Sequence, residues 1–193
     1  EMGDNLLPID LDANDIAVQI STGSDYTCAL LTDGLAKCWG GNAFGQLGQG
    51  SSLPISAPLI VNPIDVGDGR TIVQIESGGT HTCAILENGS LKCWGNNNSG
   101  RPGLGHYFNP GDYPEEMGEA LFEVDLGSGK TAIQVSGGFY HTCALLNDGT
   151  AKCWGYNAQG QLGQGHATDL GGNSTQMGDS LDPIDLSTKM TVA

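Results

Sequence analysis

The sequence predicts an all-β chain built from repeated small antiparallel blades, and three observations carry that expectation. A hairpin-like stretch bracketed by two cysteines, YTCALLTDGLAKCW at 26–39, returns as HTCAILENGSLKCW at 81–94 and HTCALLNDGTAKCW at 141–154. Glycine contributes 31 of 193 residues, the punctuation that many tight turns between short strands require. The valine-, isoleucine- and threonine-rich runs between those turns are too short for ordinary helices.

The repeat sets the organisation of the chain. Cys28, Cys83 and Cys143 lie 55 and 60 residues apart, and Cys38, Cys93 and Cys153 keep the same intervals. A second marker agrees: MGDNLLPIDL begins at Met2, MGEALFEVDL at Met117 and MGDSLDPIDL at Met177, with PLIVNPIDV at 58–66 as a divergent copy. These mark units at 2–56, 57–116 and 117–176 and a partial unit at 177–193 in one repeat domain. Stacked repeats bury their apolar faces against neighbours and end in modified capping units. Neither end reads as a cap, so a longer parent chain or further copies of this one are expected beside it.

Taken in order, the third unit offers four strand candidates, 120–126, 132–138, 141–146 and 150–155. The first, ALFEVDL, also suits a helical turn, and the glycine-rich 156–175 reads as a surface loop. Between the third and fourth candidates the turn can be specified. If Cys28 faces Cys38, Leu31 faces Leu35, which leaves Thr32, Asp33 and Gly34 as a three-residue loop with glycine in the left-handed position. Gly89 and Gly149 take that place in the other two hairpins.

Period alone leaves a closed propeller and an open solenoid both standing. The stretches GSDYTCALLTDGLAKCWGGNAFGQLGQG (23–50), GGTHTCAILENGSLKCWGNNNSG (78–100) and GGFYHTCALLNDGTAKCWGYNAQGQLGQG (137–165) resemble the repeats of the regulator of chromosome condensation family. The resemblance implies a β-propeller built from seven blades, of which this chain would hold about three and the start of a fourth, as part of a larger propeller or assembly. It also implies a scaffold that binds other molecules: nuclear members contact chromatin or small GTPases, and similar propellers are secreted inhibitors or signalling modules. Three departures stand out. Tyr26 replaces the histidine of His81 and His141, GRPGLG at 100–105 puts Pro102 where Leu47 and Leu162 stand, and the family's usual repeat lacks the paired cysteines.

Six cysteines allow 15 complete pairings, and repetition at one spacing favours Cys28–Cys38, Cys83–Cys93 and Cys143–Cys153. Three bridges within hairpins point to an oxidising compartment, outside the cell or at its surface. Zinc is the alternative, with His81 and His141 joining the cysteines, although nine intervening residues do not match common structural spacings and Tyr26 interrupts the set. Buried free thiols are the third reading.

Twenty-two acidic residues against seven basic ones, a net charge of -15, oppose nucleic-acid binding, and the basic residues form no cluster. No run of 18 apolar residues marks a membrane-spanning helix. No nucleophile elbow or phosphate-binding loop is present, so a non-catalytic protein is expected. Asp10, Asp12, Asn14 and Asp15 are a weak candidate calcium cluster that lacks the glycine and terminal glutamate of an EF-hand. Asn88, Asn97 and Asn173 open glycosylation sequons. Trp39, Trp94 and Trp154 suit blade packing. The loop HYFNPGDYPEEM at 106–117 gathers Tyr107, Phe108, Tyr113, Glu115 and Glu116 as a candidate binding surface. These features predict an extracellular or surface-displayed scaffold presenting loops to protein or glycan partners. The alternatives are an intracellular regulatory or guanine-nucleotide-exchange propeller and a calcium-dependent adhesion module.

Overall fold

The computed structural model describes residues 7–12, 15–58 and 61–186. They form three antiparallel three-stranded sheets: β1 (Ala17–Thr22), β2 (Tyr26–Leu31) and β3 (Ala36–Gly40); β4 (Ile72–Ser77), β5 (His81–Leu86) and β6 (Leu91–Gly95); β7 (Ala132–Gly137), β8 (His141–Leu146) and β9 (Ala151–Gly155). The sheets stack face to face as consecutive blades of a β-propeller that does not close. Among the described residues no helix is long and apolar enough to cross a membrane.

The hairpin arithmetic reproduces the observed register. Cys28 faces Cys38, Cys83 faces Cys93 and Cys143 faces Cys153. Leu31 N–H donates to Leu35 O at 2.8 Å and Gly34 N–H to Leu31 O at 3.1 Å, closing the three-residue turn. Hydrogen-bonded and non-hydrogen-bonded pairs alternate along an antiparallel ladder. Three positions from the bonded Leu31–Leu35 pair, the cysteines therefore occupy a non-bonded pair, whose closer approach, a Cα–Cα distance of 4.1 Å, brings the sulfurs together. All six cysteines are joined in these hairpin bridges.

Gly34 has φ +81 and Gly149 φ +83, the left-handed region where a Cβ is strained. Their surroundings differ. A Cβ on Gly34 would lie 2.7 Å from Thr71 Cβ of the next blade, whereas one on Gly149 meets nothing within 4 Å. Gly149→Val is thus expected to cost about 1–2 kcal/mol from backbone strain alone. Gly34→Val should cost about 1 kcal/mol more from overpacking, a difference that paired urea titrations would read directly.

The first of the four expected strands is corrected by the fold. Residues 120–126 form no strand of the third blade: a 3-10 turn at Gly118–Ala120 precedes a single bridge from Glu123 to Lys92. Val124 N–H donates to Leu91 O at 2.7 Å, so this segment edges the blade before it. The same holds for Ile64 on Ala36 and Ile184 on Ala151, each at 2.8 Å. Pairing stops after one bridge because Asp125 turns the chain, its Oδ1 accepting Gly127 N–H at 2.9 Å while its carbonyl accepts Gly178 N–H at 3.0 Å. The MG markers at Met117 and Met177 and the PID runs at 63–65 and 183–185 are therefore straps between blades; the first marker, from Met2, begins outside the described residues. Buried lysines fasten them: Lys92 Nζ donates to Val66 O and Gly118 O at 2.9 and 2.8 Å, and Lys152 Nζ to Leu126 O and Gly178 O at 3.1 and 2.8 Å.

Two apolar layers hold the stack. One joins Tyr26, Leu30 and Ala36 of the first blade to Ile72, Ile75, Leu86 and Trp94 of the second; the other joins Ile85 and Leu91 to Val135, Leu146 and Trp154. Each buried indole is also anchored. Trp94 Nε1 donates to Gln46 O at 3.1 Å, and Trp154 Nε1 to Arg101 O at 2.9 Å. Thr82 and Thr142 hydroxyls donate to the same two carbonyls at 2.7 and 2.8 Å. Trp39 differs from its counterparts and is only half-buried, since no earlier loop packs on it among the described residues.

Tyr26 and His81, at one position of the repeat, bolt each blade to the next. The Tyr26 hydroxyl donates to His81 O and lies 3.1 Å from Thr82 Oγ1, and burial raises its pKa. His81 Nε2 pairs with Thr142 Oγ1 at 2.9 Å. Burial first, then the charges of Arg101 and His141, lower the His81 pKa from 6.5 to about 3, so this imidazole is neutral. Neither histidine joins a metal set; among the described residues no three acidic, histidine or cysteine side chains gather to hold an ion. The calcium candidates divide: Asn14 lies outside the described residues, and the Asp15 carboxylate is drawn onto Lys37 Nζ at 2.7 Å.

Candidate protein-interaction groove

One asparagine shapes the loop that follows each hairpin. Asn97 Nδ2 donates to the carbonyls of His106 and Phe108 at 2.7 and 2.9 Å. Asn42 does the same to Ser51 and Leu53, and Asn157 to His166 and Thr168. The residues nine and eleven positions on are thereby pinned by their backbones while their side chains stay free to vary. Leu53, Phe108 and Thr168 are equivalent exposed tips on a common frame. This role also corrects the sequon reading of Asn97, which is fully buried with its amide nitrogen in use. Asn88 and Asn173 are exposed, and their Oδ1 atoms accept Ser90 and Thr175 N–H at 3.0 Å.

The second loop departs from its siblings in three linked ways. Asn42 and Asn157 Oδ1 accept Leu47 and Leu162 N–H at 2.9 and 3.0 Å, but Pro102 has no N–H to give and leaves Asn97 Oδ1 buried without a partner. Gln46 and Gln161 Oε1 accept the N–H two residues upstream at 3.0 Å; Arg101 offers no acceptor there. Ser99 then adopts φ +66, a left-handed geometry absent from Phe44 and Gln159. Arg101 itself is 7% exposed and lies 4.5 Å from the Tyr140 ring centroid, its Nη1 donating to Thr80 Oγ1 at 3.1 Å. Pro102→Leu is expected to restore the missing hydrogen bond and stabilise the chain by about 1–3 kcal/mol, measured as a higher denaturation midpoint at unchanged slope.

Beyond this strained turn the chain opens a groove of about 260 Å³. Phe108, Leu104 and Pro110 come from the loop, and Leu121 and Phe122 from the strap after it, with Glu115 and Glu116 at the edge. Phe108 is 79% exposed and Phe122 74%. His106 lies beside Phe108 with ring centroids 5.8 Å apart, and its Nδ1 accepts Phe108 N–H at 3.2 Å, which places the ring proton on Nε2 when the imidazole is neutral. Glu116 Oε2 accepts the N–H groups of Gly111 and Tyr113 at 3.1 Å, fixing the turn that carries Glu115. Asp112 has its pKa raised by burial and then by the neighbouring Glu116 charge. Glu115 has no ion-pair or hydrogen-bond partner among the described residues.

Of the five loop residues singled out from sequence, Phe108, Glu115 and Glu116 line this groove. Tyr107 and Tyr113 are exposed outside it; Tyr107 lies over the backbone of Gly172 in the following unit. Leu104, Leu121 and Phe122 escaped the sequence reading. The asparagine three residues after each CW pair was the available signal for a templated loop; nothing local announced that Phe122 would come back to Phe108.

Comparison with known proteins places these features in context. Two models of the regulator of chromosome condensation (RCC1) repeat match, one at 17–46, 72–101 and 132–161 and the other at 33–85. The ultraviolet-B receptor UVR8 of Arabidopsis thaliana is 33% identical over 160 residues, 82% of this chain and 34% of that protein. The probable E3 ubiquitin-protein ligase HERC3 of Homo sapiens is 32% identical over 153 residues, 79% of this chain and 14% of the ligase. The chain thus spans 34% or less of the length of these relatives. The crystal structure of human WBSCR16 superposes with a TM-score of 0.63 at 23% identity, over 86% of this chain and 40% of that one. Prp20p of Saccharomyces cerevisiae, described with its binding to Gsp1p and histones, superposes at 0.60 with 24% identity, over 78% of this chain and 34% of Prp20p.

Proposed function

Because the chain belongs to the regulator of chromosome condensation (RCC1) repeat family, we propose that it is a non-catalytic scaffold whose second-blade groove docks another protein. The observation carrying this reading is the pair of exposed phenylalanines, Phe108 and Phe122, held on opposite ends of a loop and strap whose backbones are tied down. Large apolar side chains on rigid frames lose little entropy on binding and are the usual anchors of protein contacts. A photocrosslinking residue at position 122 should give discrete protein adducts in extracts of the source organism. The same residue at Leu53, equally exposed on the first loop, should not. Equal labelling at both positions, or none at 122, overturns the reading.

The hairpin bridges support work in an oxidising compartment, outside the cell or on its surface. Alkylating the thiols before lysis tests this: six blocked cysteines in the native protein would exclude it. A second reading is an intracellular regulatory array, including guanine-nucleotide exchange. The curated relatives, a receptor and a ubiquitin ligase, favour it over the extracellular one. Absence of accelerated nucleotide release across a panel of small GTPases would remove the exchange version.

A further inference from the structure

Resting on the docking reading above, we infer that the occupant of the groove is an arginine side chain from a basic segment of the partner protein. The charge balance points there first. Among the described residues the cations are already engaged: Lys37 with Asp15, Arg70 with Glu123, Lys130 with Asp148, Lys92 and Lys152 with strap carbonyls, and Arg101 with Thr80 and Tyr140. The chain carries 22 acidic residues against seven basic ones, so its surface offers carboxylates in excess.

The groove concentrates that excess beside aromatic rings. Glu115 is exposed, lines the groove and has no internal partner, while Asp112 and Glu116 crowd closely enough that Asp112 holds its proton more tightly than usual. Bringing a cation to this edge relieves carboxylate repulsion, and the faces of Phe108 and Phe122 give the same cation a second attraction. A planar guanidinium suits both surfaces: its fork matches a carboxylate, its plane stacks on a ring, and it sheds water more readily than an ammonium. An acidic or purely apolar segment would bury or oppose Glu115 without compensation.

The test uses the full chain and a fluorescein-labelled tetra-arginine peptide followed by fluorescence anisotropy, with tetra-lysine and tetra-citrulline peptides for comparison. Binding should be strongest for arginine and absent for citrulline, which keeps the shape and loses the charge. Phe108→Ala and Phe122→Ala should each weaken it by about fivefold. Glu115→Gln should weaken it by a comparable factor, whereas Asp182→Asn, removing one exposed charge from the third blade, should leave it within twofold. Unchanged far-ultraviolet spectra and melting points would show that the variants remain folded; if an alanine variant does not, Glu115→Gln against Asp182→Asn decides alone. Equal affinity for arginine and citrulline would show that the charge is not read, and arginine affinity indifferent to Phe108, Phe122 and Glu115 would show diffuse attraction to an acidic chain; either overturns the inference. Peptide failure with position-122 adducts intact would remove the arginine assignment and leave protein docking standing; loss of both removes both.

Discussion

Reducing the three hairpin bridges is expected to lower the melting temperature by about 15–30 °C and to unfold much of the chain at 37 °C. Each bridge closes a loop of sequence separation 10. The chain-entropy model gives about 2.7 kcal/mol for a ring of that size, so three together approach 8 kcal/mol. That is a large fraction of the ~5–15 kcal/mol that holds a typical domain together. The bridges are not equally sheltered. Cys28, Cys38, Cys83 and Cys93 are buried between blades, whereas Cys143 in the third blade is half-buried. Graded dithiothreitol followed by alkylation and peptide mapping should therefore show Cys143–Cys153 opening first, ahead of the two fully buried bridges. The double variant Cys83→Ala, Cys93→Ala should cost about 2–3 kcal/mol in urea titration before any cavity is counted.

Acidification from pH 6.5 toward 3 is expected to remove about 4–5 kcal/mol through His81 alone. In the unfolded chain this imidazole takes up a proton near 6.5, while in the fold it resists until about 3. The unfolded state therefore binds more protons throughout that window. Stability is intact above pH 6.5 and falls by about 1.4 kcal/mol per unit below it. His141, half-buried with its pKa lowered by desolvation, adds to the slope in the same direction. His81→Tyr supplies the control, since Tyr26 is the residue at this position in the first blade and its hydroxyl bolts the next blade without titrating in that range. The variant should lose the His81 part of the slope between pH 6.5 and 4 and keep the remainder, as read from urea midpoints at each pH. An unchanged slope would mean that His81 does not carry the acid sensitivity.

Both effects come from groups inside the repeated hairpin, and that hairpin was the legible part. The spacing of Cys28 and Cys38 specified the facing pairs, the turn at Thr32–Gly34 and the left-handed glycine, because each depends on contacts within about ten residues along one ladder. The resemblance of the HT, CW and GQLG motifs to a known repeat family implied propeller blades. It did not say what those residues do. Thr82 and Trp94 converge on the carbonyl of Gln46, a residue 36 positions from one and 48 from the other. The same blindness affected the straps: the run ALFEVDL has the composition of a strand, yet its backbone partner lies in the previous blade, and one bridge is all the Asp125 turn permits.

Asn97 shows where local pattern and tertiary role part company. As a tripeptide it opens a sequon; in the fold it is buried, with Nδ2 holding the loop that presents Phe108 and Oδ1 orphaned by Pro102. Composition and spacing thus specified the repeated hairpins, their turns, their cysteine pairs and the excess of negative charge, all of which follow from neighbours along the chain. Which blade each strap completes, which histidine is stripped of water and which phenylalanines meet Glu115 were decided only when the sheets stacked. Burial and long-range approach are properties of that stacking, and residues far apart in sequence acquire them together.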